Sequence, residues 1–260
     1  MFAREYVANL AARGDYHFTT DEVAKATGRS PGAVRAQLRR LKARGAIAEP
    51  VQSFHIIIPP EYRSRGCLPA EQFIPQLMGL IGEPYYFALL SAAQRHGAAH
   101  QRPQVDKVMM RKNRPSIECG QVRVEFVARR DLRRMPVREF NTPRGTARYS
   151  TPELTALELV GYPNHAGGLS NVLAVLHDLV DEMEAESLVE AAHLSPVSWS
   201  QRLGYLLERI EEIDLARTLR PFVSAHAQSF TPLRRAVSRT GADRNGTWKL
   251  IVNIDIEPDE

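Results

Sequence analysis

Six cations stand among the sixteen residues from Arg29 to Arg44, RSPGAVRAQLRRLKAR, with no acid between them. On a helix, at about 100° per residue, Val34, Leu38 and Leu41 form a narrow apolar stripe. Gly32, Ala33, Ala36, Arg39 and Arg40 then point the other way, with Arg35 and Lys42 on the flank. Small residues in the first turn and guanidinium groups after it suit a helix pressed into the DNA major groove. The backbone approaches the base edges, methyls meet thymine methyls, and the forks reach guanine or phosphate. A basic face that is merely solvated ordinarily carries acids at i,i+4 to offset its repulsion. None is present here, so duplex DNA is the expected partner, and a helix-turn-helix-like protein contact is the alternative.

Other chemically capable pairs fail on spacing or context. His96 and His100 stand at i,i+4, as two zinc ligands on one helical face do, but no Glu follows His96 and Gly97 interrupts the helix. A hydrogen-bonded structural histidine is the expectation. Gly167-Gly168 ahead of Leu169 lacks the Lys-Ser or third glycine of a phosphate-cradling loop. Asp255 and Glu257 have the look of a Mg²⁺ pair, yet fall on the outward side of a terminal strand beside Asp259 and Glu260. Ser91 and Ser170 have histidines nearby in sequence, which is no evidence of a triad. Neither a nucleotidyltransferase Gly-Ser with paired aspartates nor a kinase Gly-rich loop or HRD motif is present. No cofactor, no metal site and no catalysis are expected.

The basic helix has to be positioned by its neighbours. Thr19 and Glu22 have capping-box spacing for a short helix through Ala26, Gly28 ends it in the left-handed conformation, and Ser30 caps the next, with Pro31 in its first position. Phe2, Tyr6 and Leu10 predict an earlier helix that closes over Val34 and Leu38. Ile47 to Glu49 and Phe54 to Ile58 predict two strands around Pro50 to Ser53. Helix, helix-turn-helix and hairpin in that order predict a winged helix over residues 1–60. Its tip residues Gln52 and Ser53, with nearby His55, either lie over the DNA backbone or minor groove or belong to a hairpin that only covers the core. DNA contacts are thus expected from Arg29, Ser30, Gly32, Ala33, Arg35, Ala36, Arg39, Arg40, Lys42, Gln52 and Ser53.

Residues 61–69, EYRSRGCLP, predict a linker, and 70–260 a larger mixed domain with a mostly helical second half. Phe73, Ile74, Leu77 and Ile81 mark one helix, and a second is expected from Pro84 to Gly97. Strands are expected at Val122 to Phe126, at Val105 to Met110 and in the closing TWKLIVNIDIE. Between them come helices marked by Leu154, Leu157 and Val160; by Leu169, Val172, Leu173, Leu176, Val180 and Met183; by Trp199, Leu203, Leu206, Leu207 and Ile210; and by Leu215 and Leu219. The fold class is therefore α+β.

Formal charge of +4 and a pI near 9.2 admit nucleic acid without demanding it. Two cysteines make neither a disulfide framework nor a metal cluster, no apolar run approaches membrane-spanning length, and MFAREYVANL is charged where a signal peptide is apolar. A cytoplasmic protein with no membrane contact is expected. Residues 102–148 hold thirteen Lys or Arg against five Asp or Glu, net +8, whereas 178–214 hold two against ten, net −8. Either the two blocks neutralise each other, or Arg111, Lys112, Arg114, Arg129, Arg130 and Arg148 form a second basic surface for phosphates or an acidic partner.

Five stretches in order carry a family resemblance: the winged helix, YYFALLSAAQRHGAAHQRPQ (Tyr85–Gln104), STPELTALELVGYPNHAGGLSNV (Ser150–Val172), QRLGYLLE (Gln201–Glu208) and NGTWKLIVN. Together they resemble the AbiEi antitoxins of the bacterial AbiE (type IV) toxin–antitoxin and phage-resistance systems. The resemblance implies a winged helix that represses its own operon through inverted repeats, read by Ser30, Gly32, Ala33, Arg35, Ala36, Arg39 and Arg40. It also implies a larger domain that helps counteract a nucleotidyltransferase-like toxin, with direct toxin contact differing among members. Inverted repeats call for two copies, as monomers or a homodimer. The competing reading is a winged-helix regulator whose carboxy-terminal domain senses a small ligand; the third is an enzyme delivered to nucleic acid.

Overall fold

The computed structural model describes residues 1–98 and 103–256. In chain order the regular elements begin α1 (Ala3–Ala12), β1 (His17–Thr19), α2 (Thr20–Thr27), α3 (Pro31–Ala43), β2 (Ile47–Val51), β3 (Phe54–Ile57), α4 (Ile74–Ile81), β4 (Tyr85–Phe87) and α5 (Leu90–Arg95). They continue β5 (Asp106–Met110), β6 (Ile117–Cys119), β7 (Val122–Ala128), β8 (Val137–Thr142), β9 (Gly145–Ser150), α6 (Pro152–Gly161) and α7 (Leu169–Leu179). The last are α8 (Ala185–His193), α9 (Val197–Arg209), α10 (Ile213–His226), β10 (Thr231–Pro232), β11 (Asp243–Asn245) and β12 (Leu250–Val252). The fold is mixed α+β, as its patterning predicts.

Two compact units divide the chain: Met1–Tyr86 with Gln104–Leu132 and Glu139–Arg148, and Phe87–Pro103 with Arg133–Arg138 and Tyr149–Glu260. In the first, Ala3, Val7, Phe18, Val23, Val34, Leu38, Ile47 and Ile57 form a core of their own beneath α1, α2, α3 and a three-stranded sheet ordered β1-β3-β2. Burying each of the larger of these side chains contributes about 1.5–3 kcal/mol. The face that α1 turns inward is Ala3 and Val7, with Tyr6 and Leu10 half-buried and Phe2 exposed. The expected Phe2–Tyr6–Leu10 stripe is therefore rotated, because small Ala3 fits closely where its N–H meets Gln37 Oε1 of α3 at 2.9 Å.

The stretch 61–69 is packed rather than free. Cys67, Leu68 and Pro69 are buried, and the Gln121 N–H donates to the Arg65 carbonyl at 2.8 Å. A Cβ on Gly120 (φ 58°) would stand 2.2 Å from that carbonyl oxygen, so only glycine permits the approach. Cys67 and Cys119 are free thiols. Further along in this unit, β7 pairs with parallel β5 and antiparallel β6. Residues 84–97, expected as one helix, are a short strand and a short helix, with Leu89 at φ 54° as the corner between them. The hairpin of β8 and β9 is a further element that no strong alternation announces. From its turn, the Arg144 guanidinium lies 3.5 Å from the centroid of the Tyr16 ring, and the Arg144 carbonyl accepts from Gln76 Nε2 at 2.8 Å.

The second unit is built around α6, whose residues Pro152 to Val160 are all buried. Thr151 caps it, accepting from the Leu154 N–H at 3.4 Å. The helix packs on α5, α7, α8 and α9, which is why the expected stripe of Leu154, Leu157 and Val160 understates its buried face. Gln201 of α9 donates to the carbonyls of Ser229, Trp248 and Lys249, anchoring the strands that follow α10. Gly204 lets the Trp248 ring lie against α9, since a Cβ there would meet the ring at 2.1 Å. Among the described residues no helix is long and apolar enough to cross a membrane.

Candidate nucleic-acid interface

Both ends of the α2–α3 turn form as their residues dictate. Thr19 and Glu22 make the reciprocal capping box, Gly28 takes φ 66° at the end of α2, and Ser30 Oγ accepts from the Ala33 N–H at 3.4 Å ahead of Pro31. Val34 and Leu38 are buried, and Leu41 is half-buried. That anchoring leaves Gly32, Ala33, Arg35, Ala36, Arg39, Arg40 and Lys42 exposed. A Cβ added at Gly32 would meet nothing within 4 Å. Arg35, Arg39 and Arg40 have no ion pair among the described residues.

The hairpin is tighter than Pro50 to Ser53 as a loop implies. Strand β2 runs through Val51 with a register shift between Ala48 and Val51, and the turn is Gln52-Ser53, with Ser53 at φ 65°. A cleft of about 400 Å³ lies between α3 and this hairpin and brings together Arg35, Arg39, Lys42, Gln52 and Ser53. Arg40 and the small residues of the first turn lie outside its lining, on the open surface of α3. Arg29 stands apart from the cleft, exposed, with its guanidinium 4.4 Å from the centroid of the Phe2 ring.

Glu49 is the cleft's acid on the hairpin side, and residue-by-residue charge counting missed it. Its carboxylate accepts from Lys42 Nζ at 3.3 Å and from the Ser53 N–H at 3.1 Å, so it fixes the turn and restrains one cation. Burial opposes its ionisation, but the Ser53 N–H, His55 and Lys42 outweigh that effect and lower its pKa. His55 is buried behind it, stacked on Phe18, with Nε2 2.9 Å from Thr20 Oγ1. Burial lowers the His55 pKa, with Glu49 opposing.

The second basic group does not assemble as a free surface. Arg129 is buried, with its N–H bonded to the Met110 carbonyl at 2.9 Å. It lies just past the end of β7 and is buried, which removes it from any surface role. Arg111 pairs with Glu83 at 3.2 Å and Arg148 with Glu139 at 3.1 Å. Lys107 pairs with Glu125. Lys112 and Arg130 are exposed, and Arg114 is half-buried.

His96 Nε2 contacts the Ser150 carbonyl at 2.7 Å, a structural role, while His100 lies outside the described residues. Asp255 is exposed, and Glu257, Asp259 and Glu260 also lie outside the described residues. Among the described residues no group of three His, Cys, Asp or Glu could hold a metal.

Residues 86–209 match the family described as the AbiEi antitoxin C-terminal domain. No curated protein matches the chain. The crystal structure of the RV2827C protein from Mycobacterium tuberculosis is similar in fold, with a TM-score of 0.68 at 19% identity over 96% of this chain and 90% of that one.

Proposed function

We propose that this chain, which belongs through residues 86–209 to the AbiEi antitoxin family, reads duplex DNA with a winged helix-turn-helix over residues 1–60. Antitoxin action against a toxin is the role of the family domain. Binding to inverted repeats ahead of its own toxin–antitoxin gene pair, repression of that pair, and a nucleotidyltransferase-like toxin as its target complete the proposal.

The observation that carries the DNA reading is the α3 surface: three arginines without ion pairs beside the small residues Gly32, Ala33 and Ala36, all exposed. In the groove, Gly32 and Ala33 allow close backbone approach, and Arg39 and Arg40 supply forks for guanine edges or phosphates. Arg35, Lys42, Gln52 and Ser53 flank the duplex from the cleft and hold register on the backbone. Two copies, one per half-site, match an inverted repeat.

Gel-shift titration of the full chain against duplexes carrying those repeats tests the reading, with Arg39→Ala and Arg40→Ala compared singly. A base-edge arginine costs about 1–3 kcal/mol and relaxes sequence preference, whereas a phosphate-only arginine weakens every sequence alike. Unchanged affinity in both variants removes the groove assignment. Co-expression of the same variants with the toxin should still rescue growth, because neither touches residues 86–209.

A further inference from the structure

A second set of cations, in the other unit, is independent of the DNA reading. Arg202 of α9 is only 3% exposed. Its Nε donates to the carbonyls of Pro232 and Leu233, each at 3.1 Å, while its Nη2 is buried without a hydrogen-bond partner. No carboxylate pairs with it among the described residues. Burial, and then neighbouring Arg235, draw its pKa down to about 10, so the guanidinium stays charged at neutral pH. A buried charge lacking both a counter-ion and part of its hydrogen bonding is the arrangement that folding penalises, unless something arrives to complete it.

Arg202 lines a pocket of about 260 Å³ together with Asn164, His165, Arg234 and Arg235, and no acid lines it. Arg234 and Arg235 are exposed and have no ion pair among the described residues. The main chain at Arg234 is fixed by Asn253, which accepts from its N–H at 3.0 Å and donates to its carbonyl at 2.8 Å, so the two arginines are held at the pocket by an ordered segment.

We propose that this pocket binds a phosphate group, either as the free ion or as the monoester of a small metabolite. Three guanidinium groups with Asn164 and His165 beside them outnumber what a single carboxylate can use. A dianion with several tetrahedral oxygens accepts from all of them at once, and the guanidinium fork matches that geometry. The bound anion supplies the missing acceptor for Arg202 Nη2 and the counter-charge for all three cations.

Isothermal titration and thermal melting of the full chain with inorganic phosphate and with adenosine monophosphate test this, against acetate and chloride at matched ionic strength. Saturable binding of phosphate, with a raised melting midpoint that acetate does not reproduce, is expected. The exposed double variant R234A/R235A, whose fold is checked by circular dichroism, should bind at least tenfold more weakly. Arg202→Met should abolish binding, but the double variant decides, because it leaves the Arg202 ties to Pro232 and Leu233 intact. Tighter binding of the nucleotide than of the free ion assigns the pocket to phosphate esters, and equal binding assigns it to the ion. Equal affinity in wild type and R234A/R235A, or stabilisation no greater than that by acetate, overturns the proposal. Neither result bears on α3.

Discussion

Residues 29–44 and residues 102–148 are both strongly basic, yet the fold treats them differently. On α3 the cations project from a helix whose apolar stripe is spent on the core, and Arg35, Arg39 and Arg40 form no ion pair among the described residues. In the second region Arg129 is buried, and Arg111, Arg148 and Lys107 are each matched by a glutamate. Each of those acids, Glu83, Glu125 and Glu139, comes from a different segment of the chain than the cation it meets. Net charge along the chain therefore does not measure charge available to a ligand. What matters is whether the topology brings acids across, and around α3 it brings Asp21 and Glu49 to the cleft, of which Glu49 pairs with Lys42.

The contrast can be broken by mutation. Arg39→Ala with Arg40→Ala should lower operator affinity about 100-fold at fixed salt, the sum of two contacts at about 1–3 kcal/mol each; a change below threefold in a gel shift would make the two regions equivalent. Glu49→Gln should tighten binding to non-specific duplex by about two- to fivefold by releasing Lys42, and steepen the log–log salt dependence by about one unit. Arg111→Ala with Arg148→Ala should stay within about twofold in DNA affinity, and exposed pairs of this kind are worth about 0–1 kcal/mol of stability.

The smallest effect concerns pH. Burial holds the folded pKa of His55 below its unfolded value, so its contribution is complete above about pH 6.5 and is lost as pH falls through the folded value. His96 is displaced the same way by burial, while Glu49 acts lower, below the ordinary carboxylate range. Melting curves from pH 7 to pH 5 should therefore show a steeper loss in wild type than in His55→Gln, and parallel curves would remove His55 from that account.

Short-range signals were readable in the sequence, and long-range ones were not. Thr19, Glu22, Gly28, Ser30 and Pro31 act within a turn of themselves, and each sits where its chemistry placed it. The strand at Val122 to Ala128 followed from alternation. Tyr85 to Phe87 looked helical because its apolar run continues into Leu89 and Leu90, and only the left-handed Leu89 separates strand from helix. Glu49 was hidden for another reason: its importance comes from folding back onto Lys42 across a turn. Arg202 left one faint signal, a cation within the apolar spacing of α9 and one of only two Lys or Arg among ten acids in residues 178–214.

The stacking of Arg144 on Tyr16 has a consequence for how such proteins diversify. If the proposed DNA-reading head stood alone, it could be traded between relatives by recombination at residues 61–69. Here its aromatic flank is seated under a guanidinium contributed more than a hundred residues downstream, and the intervening Cys67–Pro69 stretch is itself packed. A transplanted head would leave Tyr16 bare and Arg144 without its ring, so under the proposed function new operator specificities are more readily reached by altering Arg39 and its exposed neighbours in place than by exchanging whole modules.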